Sequence, residues 1–435
     1  MRLTTWAALA AALTVPFLNG CGNEDAQKGY VRIVNATSEY TSLDLYTVNS
    51  DGGNDLVVGG TAAGAASAYT AIDKGGYTFN VKSSTSAGSG TPVTGTISKT
   101  DHFSVVTYLT GSTTTSKFLT DEDTAPASGN AKLRILNAAT SEAPSVDVYL
   151  STNDCTALAV TDTAFATAVT GLQTTYTPVT AAAAGTPWNV CVFAAGDTAT
   201  LLLDIPALKL KDQEIATLIL THTTGGVLLN AAVLDQQGAY TAYANTIARL
   251  RVVADAASNA KVSVTINGTA FATASPSPSV GDYMTVAVGA LSPTISVDTG
   301  TATGFTLPAA AAGNDYTLLV TGTAGAPAAV LITDNNTPST NATNTVRARV
   351  INGLNGTNGA VSATIDGKSI GTAAFGAASA YTNILPSSGT STVSGITTGA
   401  NPTDLTSKTF SAGNVYTIFI YGDAAAPTLA PVIDR

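Results

Sequence analysis

Charged side chains are scarce in this sequence. Asp, Glu, Lys and Arg make up only 11% of the 435 residues, against about 25% in an ordinary globular domain. The net charge of −10 is spread thinly, without a basic cluster. Because Lys and Arg contacts to phosphates supply most of the affinity for nucleic acids, this composition argues against a nucleic-acid partner. Thr, Ser, Asn and Gly must form the polar surface, which favours strands and turns over helices.

Histidine is almost absent as well, and this narrows the possible chemistry. The two histidines, His102 and His222, are far apart in the sequence and cannot share a catalytic site. Neither a G-x-S-x-G nucleophile elbow nor a phosphate-binding glycine motif occurs. We therefore predict that the protein is not an enzyme and uses no cofactor. A hydrolase with an unrecognised site is the alternative, and turnover of ester, peptide or glycosidic substrates would reveal it.

The N-terminus has the features of an export signal. Arg2 precedes an apolar stretch that is too short for a stable membrane span. Small residues then lead to Cys21, as in a bacterial lipoprotein signal. We predict a signal peptide over 1–20, lipidation of Cys21 and a tether over 21–29, with membrane attachment through the lipid. We expect an outer-membrane lipoprotein that faces the periplasm or the cell exterior. An ordinary secretory signal with an incidental cysteine is the alternative.

Two further cysteines remain in the exported chain, Cys155 and Cys191. In an oxidising compartment such a pair favours a disulfide. A bond closing a loop of this length would contribute about 3–4 kcal/mol to stability. Two buried free thiols are the alternative.

A repeat dominates the remaining sequence. Four segments begin alike: YVRIVNATSE from Tyr30, KLRILNAATSEAP from Lys132, RLRVVADAAS from Arg249 and RARVINGLNG from Arg347. Each alternates basic and apolar residues, which is typical of a strand. A second strand follows in each unit, and Asn267-Gly268 and Asp366-Gly367 predict two-residue hairpins after two of these strands.

The repeat predicts an all-β protein with four tandem immunoglobulin-like antiparallel β-sandwich domains. Their predicted limits are 30–123, 131–235, 247–336 and 346–435. The intervening linkers are short, so we expect beads on a semi-flexible rod.

The start of each unit, with SLDLY or SVDVY after it, resembles the bacterial envelope family catalogued as domain of unknown function 4397. The resemblance is clearest over 30–48 and 131–151, whereas units three and four replace the VDVY motif with VSVT and SATI. It implies a sandwich fold and export, and it implies no activity.

Three sets of residues are candidate sites. Each unit carries one aligned tyrosine, at Tyr69, Tyr176, Tyr283 and Tyr381. These rings either stack on sugars or pack within the sandwich. The first-strand arginines and lysines either bind an anionic ligand or form exposed cross-strand pairs, for which Asp44 and Asp147 are the natural partners of Arg32 and Arg134. Asp121, Asp123 and Asp334, at the ends of two units, are weak candidates for Ca²⁺ ligands, and a solvated linker is the alternative.

These features together predict a non-enzymatic cell-envelope lipoprotein. It would act as a structural or binding stalk that contacts a protein, glycan or matrix partner. The alternative is a lectin-like module that binds glycans through the aligned tyrosines.

Overall fold

The computed structural model describes residues 27–435, except 86–89, 112, 123, 159–161, 174, 182–186, 237, 340–342, 357–358 and 398–402. The predicted signal peptide and Cys21 lie outside the described residues. The described chain is built almost entirely of β-strands, in four successive units that follow the predicted repeat. The all-β sandwich fold predicted from the sequence is therefore confirmed.

The strands are numbered in chain order. Unit 1 comprises β1 to β9: Lys28–Asn35, Ser42–Val48, Asn54–Ala62, Ala65–Ala66, Thr70–Asp73, Gly75–Ser83, Val93–Ile97, His102–Thr110 and Thr113–Thr120. Unit 2 comprises β10 to β18: Asn130–Asn137, Val146–Ser151, Ala166–Val169, Thr177–Thr180, Trp188–Ala194, Asp197–Leu208, Ile215–His222, Leu229–Asp235 and Tyr240–Tyr243. Unit 3 comprises β19 to β27: Ile247–Ala254, Val262–Ile266, Thr269–Ser275, Ser279–Val280, Met284–Ala287, Pro293–Val297, Thr303–Gly304, Asp315–Thr323 and Ala326–Asp334. Unit 4 comprises β28 to β35: Val346–Asn352, Val361–Ile365, Lys368–Ala373, Thr382–Ile384, Thr390–Thr397, Thr403–Thr409, Val415–Tyr421 and Thr428–Ile433.

Each unit is a sandwich of two sheets. The front sheet contains the first strand of the unit and has the order β4-β1-β8-β9 in unit 1, with β5 also paired to β1. The back sheet has the order β3-β2-β6-β7. Units 2 to 4 repeat this arrangement, and unit 2 adds β18 at the edge of its front sheet. The segment between the predicted limits of units 2 and 3, residues 236–246, thus supplies a strand.

The first strand pairs in parallel with the penultimate long strand of its unit, so the front sheet is mixed. Ile33 lies opposite Val105 in unit 1, and Val350 lies opposite Ile418 in unit 4. The partner strands β8, β16, β26 and β34 are buried along nearly their whole length. Such near-continuous apolar strands are typical of sheets that are covered on both faces.

The predicted hairpins are confirmed at both positions. Asn267 and Gly268 have φ values of 49° and 86°, and Asp366 and Gly367 have 51° and 74°. Two consecutive positive φ values define the type I′ turn that the Asn-Gly and Asp-Gly pairs favour. These turns join β20 to β21 and β29 to β30.

A separate hydrophobic core lies between the two sheets of each unit. The apolar residues that alternate with the basic residues on the first strands lie in these cores, namely Ile33, Leu133, Ile135, Leu250, Val252, Ala348 and Val350.

An asparagine at the end of the first strand, at Asn35, Asn137 and Asn352, fixes the loop after it in three units. In unit 2 its Nδ2 donates to the carbonyls of Ala143 and Val169, at 2.8 and 3.2 Å.

Candidate functional site

The arginine that recurs on each first strand is buried. The exposed fractions of Arg32, Arg134, Arg251 and Arg349 are 1%, 2%, 1% and 1%. Their side chains leave the front sheet on the face opposite the core of their own unit. There the front sheet of another unit covers them, because units 1 and 2 pack face to face, as do units 3 and 4. We call these contacts the 1·2 interface and the 3·4 interface.

The predicted pairing of Arg32 and Arg134 with Asp44 and Asp147 is wrong. Both aspartates lie on back sheets, where they satisfy backbone groups of their own unit. Asp44 accepts from the Gly60 N–H at 2.7 Å, and Asp147 accepts from the Ala168 N–H at 2.7 Å. The first and second strands of a unit belong to different sheets, so they offer no cross-strand neighbours to each other.

The 3·4 interface is reciprocal. Arg251 of unit 3 forms an ion pair with Asp434 at the end of unit 4, with Nη1 and Oδ1 separated by 2.7 Å. Arg349 of unit 4 pairs in turn with Asp334 at the end of unit 3. The Nε of each arginine donates to a threonine hydroxyl on the adjacent parallel strand, at 2.9 and 3.1 Å. Two buried charge pairs therefore cross this interface.

The 1·2 interface keeps one of these two ion pairs. Arg134 of unit 2 pairs with Asp121 of unit 1 at 3.2 Å. The equivalent residue at the end of unit 2 is Gln236. It comes directly after β17, just as Asp121 comes directly after β9 in unit 1. Arg32 correspondingly donates to two backbone carbonyls of unit 2, at 3.1 and 3.3 Å.

The four aligned tyrosines lie at the same interfaces, half-buried. Each ring packs against the buried arginine of its unit: the guanidinium carbon lies 4.6 Å from the centroid of Tyr69, 4.3 Å from Tyr176, 4.6 Å from Tyr283 and 4.7 Å from Tyr381. Units 3 and 4 add a second arginine, with Arg249 at 4.5 Å and Arg347 at 4.4 Å from their tyrosine rings. Desolvated cation–π contacts of this kind contribute about 1–2 kcal/mol each.

The interface aspartates also accept hydrogen bonds from hydroxyl groups. Asp334 accepts from the Tyr283 hydroxyl at 2.6 Å, and Asp121 accepts from the Tyr69 hydroxyl at 2.8 Å. Burial raises the pKa of Asp121 and Asp434, and the neighbouring arginines oppose that rise. Burial also raises the pKa of Tyr69 and Tyr381. The repeated Arg, Tyr and Asp side chains therefore form one interlocked polar cluster at each interface.

Apolar side chains surround these polar clusters. The 1·2 interface buries Val34, Val106, Tyr108, Leu119, Leu136, Ala138, Ile219 and Leu234 in one cluster. The 3·4 interface buries Val253, Leu319, Ile332, Ile351, Phe419 and Tyr421. Both clusters draw residues from two units, so each pair of units has a shared core in addition to its own cores.

The two pairs of units also touch each other. The Thr223 hydroxyl of unit 2 donates to the Gly313 carbonyl of unit 3 at 2.9 Å. The guanidinium of Arg435, in unit 4, donates to the carbonyls of Gly226 and Ser141 in unit 2. The expectation of beads on a semi-flexible rod is therefore wrong, because surfaces predicted to face solvent are contacts between units.

The other candidate residues are placed as follows. Asp121 and Asp334 face arginines and hydroxyl donors, and Asp123 lies outside the described residues. No group of three His, Cys, Asp or Glu side chains that could hold a metal ion occurs in the described part of the chain. The ring of His102 stacks on Tyr30, with centroids 4.9 Å apart.

The predicted disulfide between Cys155 and Cys191 is confirmed. Their Cα atoms are 5.4 Å apart, and the bond links the turn after β11 to β14 within unit 2. Both cysteines belong to a small apolar cluster that includes Phe193 and Ile247, the first residue of unit 3. The disulfide therefore also braces the junction between units 2 and 3.

The sequence singled out Asp121 and Asp334, but as Ca²⁺ candidates, and it did not reveal Asp434 or the role of these three carboxylates as partners of the buried arginines. A signal for them was present, because an apolar strand runs into an aspartate at the end of units 1, 3 and 4.

The described part of the chain contains no helix with the length and hydrophobicity that a membrane span requires.

None of the curated proteins matches this chain. Among solved structures, a Bacteroides uniformis ATCC 8492 protein with a provisional cell-adhesion name matches at 11% identity, covering 48% of this chain and 99% of its own, with a TM-score of 0.21. The Bacillus anthracis TIE protein matches at 10% identity, covering 88% of this chain and 69% of its own, with a TM-score of 0.14. Scores this low support no inference about arrangement or function.

Residues 29–149, which cover unit 1 and the first two strands of unit 2 as far as Tyr149, match the family model described as Domain of unknown function (DUF4397). The family resemblance predicted from the sequence is thereby confirmed over this part of the chain.

Proposed function

We propose that the protein is a non-enzymatic lipoprotein of the bacterial cell envelope that serves as a structural or binding stalk. The main support for this proposal is that the repeated polar residues of the protein are bonded to one another between units. The aligned arginines, tyrosines and interface aspartates bond to one another across unit contacts, as Arg349 and Asp334 do. Side chains that are bonded in this way hold the units together, whereas a catalytic or sugar-binding group must be accessible to a ligand.

The four units thus form two interlocked pairs that can present an exposed surface. That surface is rich in Thr and Ser, and its low charge suits contact with a protein, glycan or matrix partner. The anchor would be the lipid on Cys21, and the outer membrane would be its location.

Fractionation of cells tests the anchor. We expect the full chain in the membrane fraction and the Cys21→Ala variant in the soluble fraction. The matched control is the Cys155→Ala/Cys191→Ala variant, which loses the other two cysteines and should stay with the membrane. A Cys21→Ala variant that still sediments with membranes would refute the lipid anchor.

Proteolysis of intact cells tests the orientation. Digestion of the chain by an added protease would support display at the cell surface, whereas digestion only after lysis would support a periplasmic stalk. Purified protein should then bind an immobilised glycan, matrix or envelope protein without turning it over. Measurable hydrolysis of ester, peptide or glycosidic substrates would overturn the proposal.

A further inference from the structure

Among the described residues of the 3·4 interface, one carboxyl group is buried without a cation. Asp255 follows the first strand of unit 3 and is 0% exposed. Its Oδ1 accepts from the Gly422 N–H of unit 4 at 2.7 Å and from the Asn355 Nδ2 of unit 4 at 3.3 Å. Its Oδ2 is buried and has no hydrogen-bond partner. An unpaired carboxylate oxygen is costly to bury in its ionised form, so the site favours the neutral acid.

The groups that face Asp255 do not compensate a negative charge. From unit 4, Asp423 adds a like charge and Tyr421 lies at the end of β34. Asn355 is neutral, and the two arginines of this interface are bonded to Asp334 and Asp434. Ionisation of Asp255 would therefore place an uncompensated charge between two units.

Unit 4 makes room for this side chain with a glycine. Gly353 occupies the position in unit 4 that Asp255 occupies in unit 3, and a Cβ there would lie 2.1 Å from the Asp255 Oδ2. The 1·2 interface has Ala36 and Ala138 at the matching positions. The carboxyl group is thus specific to the 3·4 interface, and the 1·2 interface provides an internal reference.

We propose that Asp255 makes the 3·4 interface a pH-sensitive contact, which is closed while the carboxyl group is protonated and loosens when it ionises. The proposal concerns this contact alone and goes beyond the stalk function.

The direction of the effect follows from proton linkage. Burial raises the pKa of Asp255 to about 8 in the closed state, with Asp423 contributing. A solvent-exposed Asp has a pKa of about 3.9, so opening the interface releases a proton between these two values. The stabilisation is complete below about pH 4 and is lost as the pH rises towards about 8. Within that window each pH unit multiplies the open-to-closed ratio by about ten.

Hydrogen exchange of the full chain tests the proposal. Protection factors are measured from pH 5 to pH 8 for peptides covering β34 and Gly422, whose amide donates to Asp255. We expect them to fall by up to about tenfold per pH unit. Peptides covering β16, the equivalent strand in unit 2, should show a flat profile.

Two variants separate this mechanism from other titrations. Asp255→Asn keeps the shape and the Oδ1 acceptor but cannot ionise, so protection at β34 should become independent of pH. Asp423→Asn removes the adjacent like charge and so lowers the closed-state pKa of Asp255; the loss of protection should therefore end at a lower pH and be smaller in total. Folding of units 3 and 4 in both variants is checked by the unchanged protection of their back-sheet strands β20 and β29. A pH-dependence that persists in Asp255→Asn, or a flat profile at β34 in the unaltered chain, would overturn the proposal.

Discussion

The buried charge pair between Arg349 and Asp334 offers the sharpest test of the interface. In the Arg349→Met variant, Asp334 stays buried and accepts only from neutral donors, the Thr317 hydroxyl at 2.7 Å and the Tyr283 hydroxyl at 2.6 Å, while the charge of Arg251 remains nearby. Removing one partner of a buried pair costs about 3–5 kcal/mol. Because two hydroxyl donors remain, we expect a loss near the lower limit, about 3 kcal/mol.

Urea denaturation followed by far-ultraviolet circular dichroism measures this loss. With a urea m-value of about 2 kcal/mol/M for a pair of units, a loss of about 3 kcal/mol in the free energy of unfolding lowers the urea midpoint by about 1.5 M. A chain of four units need not unfold in one step, so the comparison applies to the transition that the substitution shifts.

Arg347 provides the matched control on the same strand. It packs on the same tyrosine ring at 4.4 Å, but its Nη1 bonds only to oxygens of Asn335 and Thr337. Arg347→Met leaves no carboxylate unpaired, so we expect only the loss of about 1–2 kcal/mol that a cation–π contact contributes, which is smaller than the loss for Arg349→Met. The double variant Arg349→Met/Asp334→Leu should recover most of the loss, since an apolar replacement of both partners is often neutral. Equal losses for Arg349→Met and Arg347→Met would refute the reasoning.

Three further substitutions probe other contacts. Replacing Cys155 and Cys191 by serine should cost about 3–4 kcal/mol in thermal or urea unfolding, and unchanged stability would contradict a structural role for the disulfide. Gly313→Ala should cost about 1–3 kcal/mol, because Gly313 has a φ of 68° and a Cβ would lie 2.4 Å from the Thr223 Cγ2; a neutral effect would count against the contact between units 2 and 3. Tyr283→Phe should cost about 1.5–3 kcal/mol through the lost hydrogen bond to a buried carboxylate. A variant that loses sugar binding but keeps its urea midpoint would instead favour the lectin alternative.

Local features of the fold could be predicted because their signals are local. The alternation after Arg249 placed Leu250 and Val252 in the core, and Asn267-Gly268 fixed a hairpin through its positive φ values. The parallel pairing of first and penultimate long strands carries no such signal, because it joins residues far apart in the chain, such as Ile33 and Val105. The position of the strand in the sheet, and not its own sequence, decides which neighbour it meets.

The buried environment of the arginines could not be predicted from the alternation alone, for a related reason. An arginine opposite the core is expected to face solvent, and only its neighbours on that face can indicate otherwise. Val34 follows Arg32 by two residues and therefore points to the same side, and Leu136, Val253 and Ile351 hold the same position in the other units. All four are buried in the interfaces between units.

That combination of an arginine and a large apolar residue on one strand face explains why the units are paired. A front sheet left in solvent would expose Val253 and Ile351. Covering that sheet without providing acceptors would bury an isolated guanidinium, which is costly. Two front sheets placed face to face meet both requirements, because each covers the apolar residues of the other and the end of each unit supplies acceptors to the opposite arginine. Where that end is Asp434 or Asp334 the acceptor is charged, and where it is Gln236 backbone carbonyls serve Arg32. In the 1·2 interface both arginines share the carboxylate of Asp121, which pairs directly with Arg134 and is linked to Arg32 through the Ser104 hydroxyl. The additional carboxylate in the 3·4 interface therefore gives each arginine a carboxylate partner of its own.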